Sequence, residues 1–241
     1  LFFFFHQKIH KQNEAIMNIL AFPHRITLWN DYFAGVTLQQ TINKQTTRQT
    51  PTSSSVYVSN CFFKSITSGS QGGALYCTSV SQLLVEFSSF FTCRANGNGG
   101  GIHFYNTGNG ECVLNEVCCN DCCTTTGTHG QFLNSYVQNI ESKKNYVNYS
   151  SAARCITDLS GTCETLCLYN GKILCPSVNL SMNKISHVSA ILCVPFANSN
   201  SVTCLLSYSS FADNNAFRYN CIWLERSDAK FEIKCCNIIR N

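Results

Sequence analysis

The densest chemistry in this sequence is Cys118-Cys119-Asn120-Asp121-Cys122-Cys123, which nests the C-x2-C pair Cys119 and Cys122 inside two further cysteines. Thiolates at that spacing hold Zn²⁺ when others converge on them, and Cys93 or Cys155 from a neighbouring repeat could do so. On a strand, however, side chains alternate between faces, so Cys118 and Cys119 point apart and cannot share one ion without a bulge. Disulfide bonding or core packing is therefore the expectation, and no metal ligand and no cofactor is assigned. Cys163 and Cys167, with Cys175 beyond, read as loop cysteines suited to disulfides. The chain has 17 cysteines, so an odd thiol must stay unpaired or find another chain.

Nucleophilic or acid–base catalysis finds little support. His103, His129 and His187 fall at unrelated repeat positions, so none is matched to a cysteine nucleophile. His103 lies between Ile102 and Phe104, and alternation turns it outward as a solvated surface histidine. Cleavage of polysaccharides requires carboxylates converging on one face, but Asp31, Asp121, Asp158, Asp213 and Asp228 form no Asp-Asp pair and no Asn-x-Asp. Thr128-His129-Gly130 partly echoes a Gly-His-Gly motif, and Arg-x-Lys is missing. No catalytic residue is named.

The elements that must carry these residues repeat. Val56-Tyr57-Val58-Ser59-Asn60-Cys61-Phe62, Val85-Glu86-Phe87-Ser88-Ser89-Phe90-Phe91 and Cys112-Val113-Leu114-Asn115-Glu116-Val117-Cys118 follow one another at roughly 27 residues. Further copies are Tyr146–Ser150, Val178–Met182, Cys204–Phe211 and Phe231–Cys236. The pattern is β throughout, with apolar and polar residues alternating and Gly, Asn and Ser at the breaks. A unit of that length without a helix fits one coil of a parallel β-helix, in which Phe and Cys fill the interior and Asn and Ser stack at the turns. Residues 124–146 and 155–177 lengthen the interval and read as extruded loops. Only residues 8–20 carry a helical pattern, which Pro23 ends. Gly72-Gly73 and Gly99-Gly100-Gly101 read as sharp corners or close approaches of coils, because no helix or Lys follows to make a phosphate loop.

Composition narrows the partners. Charged residues are 12% of the chain and the formal net charge is +4, with Lys143-Lys144 the only adjacent cationic pair, so no nucleic-acid footprint is present. No segment has the run of 18 apolar residues that a membrane span requires, and Lys8 and its neighbours interrupt Leu1–Phe5 before it reaches signal-peptide length. Asn148-Tyr149-Ser150 and Asn179-Leu180-Ser181 are glycosylation sequons, and Tyr105, Tyr149, Tyr208 and Tyr219 could contact sugars or proteins from the outer face.

Gly72-Gly73-Ala74-Leu75, Gly100-Gly101-Ile102 and Phe211-Ala212-Asp213-Asn214 resemble the GGA-[ILV] and FxxN motifs of polymorphic outer membrane protein repeats. The Cys-rich, Asn/Ser-rich background is similar to the right-handed β-helix surface proteins of trichomonad parasites, over residues 56–241 in outline. The resemblance implies an extracellular, adhesin-like role without known catalytic residues.

The expectation is thus an all-β, right-handed parallel β-helix of about seven coils over residues 51–241, broken off at its C-terminus, after an irregular segment or divergent cap over residues 1–50. Its expected role is non-enzymatic, adhesive or structural, at the cell surface or outside the cell, with a host or matrix protein or glycan as partner. The alternative is a polysaccharide-active β-helix enzyme or a degenerate relative of one.

Overall fold

The computed structural model describes residues 29–127, 129–155, 164–185, 190–216 and 221–241. The chain divides into two compact units, Leu1–Ala34 and Gly35–Asn241. Within the first, the described part is the short helix Trp29–Tyr32. Its Trp29 carbonyl accepts from the Phe33 amide at 2.8 Å, and the two rings pack 4.6 Å apart. The segment 8–20 lies outside the described residues.

The second unit is a parallel β-solenoid of about six turns, with coils of about 29 residues. Three long sheets run along it. The first has eight strands, from Gln40–Asn43 to Phe231–Lys234; the second has seven, from Phe62–Lys64 to Asn237–Ile239; the third has six, from Leu75–Cys77 to Ile222–Leu224. Two minor sheets of two-residue strands lie between the second and third, and every pairing is parallel. Register partners are 27 residues apart at Ser55 and Gln82 and stretch to 33 between neighbouring coils further on.

Two expectations shift. The solenoid begins at Gln40, not at 51: Gln40–Asn43 pairs with Val56–Ser59, the Gln45 carbonyl accepts from Phe62, and Gln49 bridges to Leu75, so residues 40–50 cross all three sides as a compressed first coil. The stretches 124–146 and 155–177 are not extruded as wholes. Each carries in-register rungs, Leu133–Tyr136 and Lys144–Asn148 in one, Leu166–Tyr169 and Lys172–Pro176 in the other. In the first stretch, Gln138–Lys143 forms a turn beyond the third sheet; in the second, residues 156–163 are outside the described residues.

Corners make this winding possible. Between the first and second sheets each coil turns through one left-handed residue: Asn60, Phe87, Glu116, Tyr149, Ser177, Tyr208 and Cys235, with φ from 47° to 55°. A second left-handed corner follows the second sheet at Ser65, Thr92, Asp121, Arg154, Met182, Asp213 and Arg240, with φ from 49° to 56°. None is glycine, so each costs about 1–2 kcal/mol, and interior side chains offset it. After the first corner, Ser88, Ser150 and Ser209 each accept the amide of the matching residue one coil earlier, at 3.0–3.1 Å, and donate to the carbonyl two residues back. After the second, Asn183, Asn214 and Asn241 each accept an amide and donate to a carbonyl of the preceding coil. The stacking of Asn and Ser expected from the repeats is present.

The core is one column of inward side chains. Phe63 and Phe90 pack with tilted rings 5.0 Å apart, and Phe132 meets Phe90 at 5.3 Å. Burying such rings removes about 150–250 Å² each from water. The glycine corner before the third sheet is as expected at Gly72 and Gly99 and recurs at Gly130, all near φ +65° to +71°. Close approach is enforced one residue on, where a methyl group at Gly100 would collide with the backbone carbonyls of Gln131 and Cys123.

Gly100→Ala is expected to lower stability by at least about 2 kcal/mol, because backbone and not a flexible side chain must yield. Gly108→Ala, whose new methyl would find its nearest atom at 3.5 Å, is expected to stay within about 0.5 kcal/mol. Urea unfolding monitored by circular dichroism separates the two outcomes.

Candidate groove on the third sheet

The outer face of the third sheet concentrates the polar chemistry. Ile102 and Phe104 enter the core, so His103 and Tyr105 project outward, and in-register pairing stacks their counterparts in rows. Tyr76, His103, Asn134 and Cys167 form one row; Tyr105, Tyr136 and Tyr169 form the next. Tyr76 stacks on His103 at 5.7 Å, Tyr105 meets Tyr136 at 5.3 Å and Tyr136 stacks on Tyr169 at 4.1 Å. At the rim, Arg48 lies over the Tyr76 ring and donates to the Gln71 and Gly72 carbonyls at 2.9 and 3.0 Å, fixing the corner beside it.

These rows border a groove of about 450 Å³ lined by Gln71, Tyr76, Thr78, Asn98, His103, Tyr105, Asn134 and Tyr136. His103 is not the solvated residue that alternation alone suggests. It points outward, but the neighbouring rows cover it, leaving 3% exposed. Burial pulls its pKa down to about 4, so the ring is neutral. Asn134 Nδ2 can only donate, so its 3.0 Å contact makes His103 Nδ1 the acceptor and leaves the ring proton on Nε2. Asn134 is fully buried, and its Oδ1 has no hydrogen-bond partner, alone in this among the buried side-chain N and O atoms of the described residues. An unmet buried acceptor costs about 1–3 kcal/mol. Burial also pushes the Tyr136 hydroxyl up to about 12, keeping it a neutral donor.

One coil along the same face, His129, Glu164 and Cys167 come together, their ligand atoms all within 4.8 Å of one another. His129 Nδ1 is 3.4 Å from Glu164 Oε2, and the Glu164 side chain is 2% exposed. The His129 amide donates to Asn98 Oδ1 at 3.1 Å, and its ring meets the Tyr169 ring edge-on at 5.8 Å.

No family model, curated protein or solved structure matches this chain. The site therefore rests on its own geometry.

The cysteine constellation resolves differently. Cys118 is exposed and Cys119 buried, as alternation requires, and Cys122 and Cys123 are buried too. Cys119 Sγ lies 3.7 Å from Cys155 Sγ inside the core. Strand register places Cys93, Cys122 and Cys155 one above another on successive coils, so Cys93 and Cys155 are two rises, or roughly 10 Å, apart. Ligands of one Zn²⁺ sit about 2.3 Å from the metal, so that column of sulfurs cannot close on a single ion. The expectation of loop disulfides is overturned for two residues: Cys167 and Cys175 lie in strands, one facing outward and one inward, and neither is in a disulfide. Cys163 lies outside the described residues.

The remaining sequence candidates scatter. Asp121 sits 3.9 Å from Arg94, and Asp213 pairs with Arg240 on the surface. Asp31 is in the short helix, and Asp228 accepts the Asn198 amide through its backbone. Tyr149 and Tyr208 stand exposed at left-handed corners and away from the groove, which takes Tyr105. Of the sequons, Asn179 is exposed and Asn148 is buried. His187, Tyr219 and Asp158 lie outside the described residues. Sequence reasoning missed Asn134, Glu164 and the pairing of His129 with both Glu164 and Cys167; the only local signal was Glu164-x-x-Cys167.

Two measurements follow. Among the described cysteines, a thiol reagent acting on the native chain should modify Cys118 and Cys235 quickly and Cys236 more slowly, with the buried ones reacting only after denaturation. Rapid native modification of Cys112 or Cys193 would contradict the packed thiol core. The second concerns His103. Unfolded it titrates near 6.5 and folded near 4, so the unfolded chain alone takes up a proton between those values. Its contribution to stability is complete above about pH 6.5 and falls by up to about 3 kcal/mol as pH drops towards 4. His103→Gln should flatten that part of the profile, read from urea midpoints at pH 7 and 4.5.

Proposed function

We propose that this chain is a non-enzymatic binding solenoid that presents the third-sheet groove to a glycan, in an adhesive role at the cell surface or outside the cell. The observation that carries the reading is the unpaired Asn134 Oδ1, set among a neutral His103 and the tyrosine rows. A sugar hydroxyl both donates and accepts. It can donate to a buried acceptor and accept a hydrogen bond from an imidazole N–H, while the sugar's apolar face packs on tyrosine rings.

Electrostatics favour the same class of ligand. Among the described residues the lining contains no carboxylate, lysine or arginine, so it suits a neutral polar ligand better than a phosphate or an acidic peptide. Hydrolysis of a glycosidic bond uses two carboxyl groups flanking it, and that lining supports binding over cleavage. The earlier resemblance to surface β-helix proteins supports the proposed location. Among the described residues, no helix is long and apolar enough to cross a membrane.

A glycan array probed with the purified chain is expected to yield neutral oligosaccharide binders. Tyr105 is 46% exposed, so Tyr105→Ala should leave folding intact while weakening binding about tenfold, the effect of losing one aromatic contact worth about 1.4 kcal/mol. Tyr208→Ala, at a distant corner, should leave binding unchanged. A blank array, or the reverse ranking of the two variants, overturns the proposal.

A further inference from the structure

We propose that His129, Glu164 and Cys167 form a transition-metal site, with Zn²⁺ as the natural occupant. This proposal is independent of the glycan reading.

Glu164 is almost wholly removed from water, and burying a carboxylate costs several kcal/mol unless a strong partner offsets it. Among the described residues the His129 imidazole faces it, and the 3.4 Å separation exceeds the roughly 2.7–2.9 Å of a charge-assisted hydrogen bond. That separation is the right one for two ligands of a common ion. A tetrahedral Zn²⁺ with bonds of about 2.0–2.2 Å to nitrogen and oxygen holds those atoms about 3.4 Å apart. Cys167 Sγ lies within 4.8 Å of both, and a small rotation of the part-exposed His129 ring can bring the set to bonding distance.

The donor set decides the class of metal. Thiolate and imidazole favour Zn²⁺ and its neighbours in the first transition row over Ca²⁺ or Mg²⁺, which take oxygen ligands. Three protein ligands leave one position open, as in zinc sites that bind water or an exogenous group. The ligands also sit on a prepared frame. Cys167 is locked in the third sheet opposite Asn134, the Glu164 carbonyl accepts the Gln131 amide at 2.6 Å, and His129 is held through its amide by Asn98 and through its carbonyl by Gly99. Binding removes the thiol proton, so affinity should rise with pH.

The test uses the full chain, reduced, stripped with a chelator and desalted. It is titrated with Zn²⁺ against a chromogenic chelator, and with Co²⁺ to read thiolate-to-metal charge transfer in the near ultraviolet and tetrahedral d–d absorption in the visible. One tight equivalent with thiolate ligation is expected. Each of His129→Ala, Glu164→Gln and Cys167→Ser should weaken it by about 100-fold or more, since each removes one of three bonds. Cys118→Ser and Cys235→Ser, which remove the exposed thiols among the described residues, should leave that equivalent unchanged. If Cys167→Ser fails to fold, His129→Ala, altered at a part-exposed side chain, still decides the question. Absence of a tight equivalent overturns the proposal. So does an equivalent that survives His129→Ala, or one that disappears with Cys118→Ser or Cys235→Ser.

Discussion

In-register stacking depends on the left-handed corner. A coil can lie on its predecessor only if it turns at the same place by the same backbone path, and here that path takes a non-glycine residue to positive φ twice per coil. A single such residue is an ordinary local expense; repeated through the solenoid, the expense is comparable to the whole net stability of a domain. What makes it bearable is that each corner places the next side chain inside, where apolar ones pack and polar ones bond to the adjoining coil. Ser88, Ser150 and Ser209 do so at the first corner, and Asn183, Asn214 and Asn241 at the second.

The seat after the second corner shows how much freedom remains once that rule is obeyed. It holds Ile66, Cys93, Cys122 and Cys155 in the early coils and asparagines afterwards. Apolar and sulfur side chains fill it by packing, whereas the amides fill it by hydrogen bonding in line. The crossover is at Cys155, whose amide is accepted by Asn183 Oδ1 at 2.9 Å. The asparagines pair the buried amide of the preceding coil, which is what a solenoid interior demands.

The repeated strands, the aromatic pairs and the glycine corners were legible in the chain because each depends on neighbours a few residues away. Phe62-Phe63 and Phe90-Phe91 reveal alternation, and Gly99-Gly100 reveals a backbone that no side chain fits. The groove was not legible, since its members are brought together across coils whose lengths differ. His103 reads as exposed until the Tyr76 and Tyr105 rings are placed beside it. His129 meets Glu164 only through a register offset that no local spacing reveals. The supposed loops at 124–146 and 155–177 failed for the same reason: lengthening at one corner was read as loss of the whole rung.

The buried thiols set a timetable. A cysteine-rich chain entering an oxidising compartment can pair its thiols at random for as long as they remain accessible. Once the coils stack, the sulfurs inside lie out of reach, and Cys112 and Cys221 have their thiol pKa values pushed up to about 12 by burial, so few thiolates exist to react. In such a compartment the fold would be protected only if winding outran oxidation. Contacts between successive coils span about 29 residues, a short loop to close, and disulfide formation takes seconds to hours. A solenoid that zips from coil to coil seals each sulfur as the next rung arrives, and the growing end is where the race is run.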